Sequence, residues 1–172
     1  MKNLFKRFNV IQWVVIVLAL AINIFIIVNA CLPAGPSTEE SNWIVEPAKA
    51  VINAIKPGTI NDSNIGSFSF FIRKLVGHFS LFMVSGFLTT LSIKFIYFDL
   101  KQKFWLFVIF SSISGLFLAI LTEFIQLFVP GRSGEIVDVL IDFSGYLVAV
   151  IIISLIVFFK HRKSSSVENQ QE

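Results

Sequence analysis

Apolar residues run almost unbroken through four stretches of the chain, at about residues 10–30, 71–97, 104–128 and 135–159. Each stretch matches or exceeds the roughly 20 residues that a helix needs to cross about 30 Å of hydrocarbon. The pattern therefore predicts an all-α integral membrane fold with four transmembrane helices. Within each stretch small and polar side chains recur at helical spacing and share a face. The first stripe holds Ala19, Asn23 and Ala30, and the second Lys74, His78, Ser85, Thr89 and Ser92. The third holds Ser111, Gly115, Ala119, Glu123 and Gln126, and the fourth Glu135, Asp138, Asp142, Gly145 and Ala149. Small residues let membrane helices approach closely, so these stripes are the expected contact faces, and Asn23 is expected to bond between helices.

The segments between the spans are short, with one exception. Residues 31–70 form a polar loop in which Pro33, Gly35 and Pro36 interrupt any continuing helix. Inside it Trp43, Ile44, Val51, Ala54 and Ile55, interleaved with Glu40, Lys49 and Lys56, suit a short amphipathic surface helix that Pro57 and Gly58 stop. Asn61 to Ser69 reads as loop. Residues 99–103 make a short basic connection, and Pro130 with Gly131 breaks the chain into a tight hairpin. Ser133 is placed to cap the last span, and the polar tail 164–172 is expected to be disordered.

Composition and charge sharpen this picture. Of 172 residues 55% are hydrophobic and 20 are phenylalanine, more apolar surface than a soluble domain of this length can use. Basic residues cluster beside the spans at Lys2, Lys6 and Arg7, at Lys94, Lys101 and Lys103, and at Lys160, Arg162 and Lys163. The positive-inside rule then places both termini in the cytoplasm and the 31–70 loop outside, so residues 1–163 form one membrane domain of a multi-pass membrane protein. No reader side chains accompany the basic clusters in a soluble domain, which excludes nucleic acid as a partner. The single cysteine, Cys31, allows neither an intrachain disulfide nor a thiolate cluster. Its surroundings faintly resemble a lipoprotein cleavage site, but Asn29 and the length of the apolar run favour an uncleaved first helix.

The candidate chemistry lies where ionisable residues interrupt apolar ones. The hairpin 122–145 holds Glu123, Gln126, Arg132, Glu135, Asp138 and Asp142, and the start of the second span holds Arg73, Lys74 and His78. Charges in membrane spans are costly and mark functional sites by default. The topology brings both groups to one depth, as two walls of an outward-facing pocket one or two turns deep. His78, Glu123, Asp138 and Asp142 are candidates for acid–base chemistry, and Arg73, Lys74, Gln126 and Arg132 for binding an anion. A purely structural alternative is a set of interhelical ion pairs, three acids matched by three bases. Metal held by His78 and the carboxylates is chemically conceivable, but three nearby bases would repel it, and no cofactor is expected.

These residues carry a resemblance to the VanZ-like family of bacterial membrane proteins. Members show an Arg-Lys-x-x-x-His-Phe element, present as Arg73, Lys74, His78 and Phe79. They also show an acidic-Glu-x-x-Gln element (Thr122, Glu123 and Gln126), a Pro-Gly-Arg turn (Pro130, Gly131 and Arg132), then Asp138-Val139, Asp142 and Gly145. Thr122 stands where an acid is common, and Phe82 where a tyrosine often follows. The founding member is associated with low-level resistance to teicoplanin, a lipid-tailed glycopeptide that acts at the outer membrane surface. The resemblance thus implies an accessory cell-envelope role, with lipid, wall precursor or lipoglycopeptide as partner at that surface. It implies no reaction; an enzyme or a binding component acting on an anionic lipid or prenyl-phosphate headgroup remains the rival reading.

Overall fold

The computed structural model describes residues 8–33, 42–97 and 100–168. Among them every regular element is helical: α1 (Val10–Ala30), α2 (Asn42–Ile55), α3 (Ile65–Ile72), a π-helical segment (Arg73–Ser80), α4 (Leu81–Tyr97), α5 (Leu100–Gln126) and α6 (Ile136–Glu168). Four crossings are long and apolar enough to span a membrane: Val10–Ala30, Ile65–Ile96, Phe104–Gln126 and Ile136–Lys160. The second is built from α3, the π segment and α4 in one continuous helix. The basic residues at Lys2, Lys6 and Arg7, the breakers Gly35 and Pro36, Glu40, Asp99 and the last residues 169–172 lie outside the described residues.

Helix boundaries differ from the sequence reading where polar residues disguise helical backbone. The second crossing begins at Ile65, not near residue 71, because Asn61 and Asn64 organise the turn before it. The Asn61 carbonyl accepts the Ile65 N–H at 2.9 Å, and Asn64 Oδ1 accepts the Asn61 N–H at 2.9 Å. Gly66, Ser67 and Ser69 are small enough to follow as helix. Residues 100–103, expected as loop, already belong to α5. That helix stops at Gln126, two residues early, because Pro130 lacks an N–H and constrains the residue before it. α6 continues to Glu168, beyond the expected end at 159 and into the expected disordered tail. No Pro or Gly interrupts it there, and extending a formed helix is far easier than nucleating one.

α6 is the central element. It packs on α4, on α5 and on the π segment, while α1 leans on α4 and α5. Its core contacts are Tyr146 and Val150 against Phe82, Leu118, Ala119 and Ile26, with Phe107, Ile153 and Val157 forming a second layer toward the basic end. Close approach depends on glycines. A Cβ on Gly115 would collide with the Tyr146 ring, one on Gly86 would stand 2.8 Å from the Tyr146 carbonyl oxygen, and one on Gly145 would strike the backbone of Phe79. α1 is held by Asn23, which donates to Thr89 Oγ1 at 2.9 Å and accepts from Ser85 Oγ at 2.7 Å, the interhelical role its stripe predicts. Elsewhere the outward faces of the crossings are apolar, as contact with lipid requires.

Gly145→Ala is expected to lower stability by about 1–3 kcal/mol, because the π segment and α6 must move apart. Gly66→Ala, whose added methyl meets nothing within 4 Å, is expected to be neutral or stabilising. Thermal unfolding of both variants in the same detergent checks the pair.

Candidate functional site

One end of the bundle gathers nearly all of the buried charge. Asp138 and Asp142 lie one turn apart on α6 and face the second crossing, which runs parallel to α6. Lys74 forms a direct ion pair with Asp138, and one turn along His78 Nδ1 lies 3.0 Å from Asp142 Oδ1. Both pairs join residues 64 positions apart, so they are successive rungs between two helices in register. Lys74 also lies 3.6 Å from Glu135 and packs over the Phe70 ring, 5.1 Å from its centroid. Asp142 is only 1% exposed, Glu123 4% and Asp138 5%.

The hairpin supplies the other wall. After α5 the chain turns through Pro130 and Gly131, where Gly131 takes φ 74°, a left-handed conformation that glycine adopts without strain. Glu123 then reaches across the turn. Its Oε2 accepts the Glu135 N–H at 3.0 Å, and its Oε1 accepts from Gln126 Nε2 at 3.0 Å. Glu123 therefore holds the start of α6, a place where a helix favours negative charge. Ser133, expected as the cap, instead donates its hydroxyl to Glu135 at 3.2 Å.

Between these walls and α1 lies an open cleft of about 340 Å³. Its lining combines apolar residues (Ile26, Ile44, Ile72, Val76 and Phe82) with polar ones (Asn29, Arg73, His78, Gln126, Arg132 and Asp142). The π segment shapes this lining. Its wider turn stacks residues about five apart, so Arg73 and His78 both line the cleft. Ser80 Oγ, bonded to the Leu75 carbonyl at 3.0 Å, follows the same spacing.

Of the eight residues singled out from sequence, Arg73, His78, Gln126, Arg132 and Asp142 line the cleft, while Lys74, Glu123 and Asp138 stand behind its wall. The pairing is not three acids with three bases. Lys74 takes both Asp138 and Glu135, whereas Arg73 and Arg132 have no carboxylate partner among the described residues. Arg132 Nε donates to the Leu32 carbonyl at 3.1 Å, which ties the hairpin to the end of α1. Sequence reasoning missed three contributors to the site: Asn29, Ile44 of α2, and Glu135 as the second partner of Lys74. A polar residue at the end of an apolar span was the available signal for Asn29.

A family model described as VanZ/LLP1 matches residues 5–159, most of the chain. No curated protein and no solved structure matches it.

Removing one member of the Lys74–Asp138 pair leaves a charge in a poorly solvated place, so Asp138→Leu or Lys74→Met alone is expected to cost about 3–5 kcal/mol. Glu135 remains as a partner for Lys74, which should place Asp138→Leu at the lower end. The double variant replaces both charges with apolar bulk and is expected to recover most of that loss. A double-mutant cycle on melting in detergent reads the coupling.

Proposed function

The chain belongs to the VanZ/LLP1 family, and from that premise we propose an accessory cell-envelope protein that lowers susceptibility to teicoplanin-like lipoglycopeptides by binding an anionic headgroup in its charged cleft. In this reading the cleft faces outward from a bacterial cytoplasmic membrane, with both termini inside. The observation that carries it is the pair of guanidinium groups, Arg73 and Arg132, that line the cleft without a carboxylate partner among the described residues. Arginine presents a planar fork of donors that suits phosphate and carboxylate. Arginines near helix ends reach the level of lipid headgroups, where anionic groups are within their grasp. The apolar residues of the lining, among them Ile26, Ile44 and Phe82, suit an acyl or prenyl chain. An anionic lipid, a lipid-linked wall precursor or the lipid-tailed drug each combines these two features.

A second reading, a membrane-embedded enzyme acting on such a headgroup, is favoured by His78 and Asp142. A buried carboxylate on Nδ1 fixes the imidazole tautomer and orientation and leaves Nε2 for proton transfer.

Cells carrying the gene are expected to withstand higher teicoplanin concentrations than cells lacking it, and Arg73→Ala with Arg132→Ala should remove the difference at unchanged protein abundance. Equal susceptibility of cells with and without the gene would sink the resistance reading. Orientation is checked through Cys31, the only cysteine and exposed beside the cleft end of α1. An impermeant maleimide should label it in intact cells, and labelling only after permeabilisation would reverse the topology.

A further inference from the structure

We infer that His78, Glu123 and Asp142 form a binding site for one divalent cation, of the zinc or manganese type, in the wall of the cleft. Each residue offers one ligand atom, and these atoms lie within 4.8 Å of one another. They come from three separate elements: the π segment, α5 and α6. His78 Nδ1 and Asp142 Oδ1 are already 3.0 Å apart, and two ligands at about 2.1 Å from a shared cation stand about 3.0–3.4 Å from each other. One imidazole and two carboxylates are a donor set for zinc or manganese, with positions left open.

An independent observation points the same way. Glu123 and Asp142 are both almost fully buried, and neither forms an ion pair with a lysine or arginine among the described residues. Among the described residues the only basic side chain on either carboxylate is His78, so a bound divalent cation would balance a charge that one imidazole cannot. Of the three bases that from sequence would repel a metal, Lys74 is neutralised by Asp138 and Glu135 and Arg132 donates its Nε to the Leu32 carbonyl, which leaves Arg73 as the one in the cleft lining without such a contact among the described residues. Supporting contacts are also present. Gln126 Nε2 and the Glu135 N–H each hold one oxygen of Glu123 and orient its carboxylate, as groups behind metal ligands do. His78 and Asp142 line the cleft, which provides the entry path. The assignment does not rest on anion binding, because metal binding is read without any anion.

The test uses the full chain purified in detergent, stripped with chelator and titrated with zinc or manganese by calorimetry, with bound metal counted by elemental analysis. One equivalent per chain and a higher melting temperature are expected. Glu123→Gln, Asp142→Asn and His78→Ala should each weaken binding about tenfold or more, while Asp62→Asn, in the turn before α3 and outside the cleft lining, retains it. For any variant that fails to fold, the cobalt(II) spectrum of the unaltered protein decides: d–d bands shifted from those of aqueous cobalt support the site. An aqueous-like spectrum, no saturable binding, or equal binding in all three folded ligand variants overturns it.

Discussion

The two rungs Lys74–Asp138 and His78–Asp142 set the register on which the rest of the bundle depends. Apolar packing between lipid-facing helices is permissive, since a slide by one turn exchanges one aliphatic contact for another. A charge in that environment is not interchangeable, because displacing either partner leaves the other uncompensated. Two pairs at the same offset therefore lock α6 against the second crossing. The gain is specificity more than stability, because desolvation cancels much of the Coulomb attraction. With the register held, Gly145 meets the Phe79 backbone and Gly86 meets Tyr146, contacts that tolerate no sliding.

From that register the cleft follows. Glu123 ties the end of α5 to the first turn of α6 through the Glu135 N–H, so the hairpin cannot swing away from the ladder. Arg132 ties the same hairpin to the end of α1. The π segment then turns Arg73 to the side of the helix that His78 occupies. Carboxylates that serve the scaffold (Asp138 and Glu135) are thus separated from groups that face the cleft. Ion pairs alone would explain a bundle with every charge matched; they do not explain two arginines that line the cleft without a carboxylate partner among the described residues.

The four crossings and both polar walls were legible in the sequence, because length, hydropathy and the spacing of ionisable residues report directly on burial. Asn23 was legible too, as one polar position on a small-residue stripe. The division of labour among the charges was not. Spacing places Lys74 and Arg73 side by side and says nothing about which of them meets Asp138. The π turn was hidden because one residue accommodated within a helix leaves the hydropathy pattern nearly unchanged. The early start at Ile65 was hidden for another reason: Gly66, Ser67 and Ser69 have the composition of a loop, while the asparagines before them supply the turn that starts the helix.

The central claim is that Arg73 and Arg132 hold an anionic, lipid-anchored group inside the cleft. Native mass spectrometry of the chain released from mild detergent measures this most directly. The account predicts one phosphate-bearing lipid retained per chain, and its loss from an Arg73→Ala, Arg132→Ala double variant that melts at the same temperature as the unaltered protein. Equal retention by that variant, or a native chain that carries no anionic lipid, would contradict it.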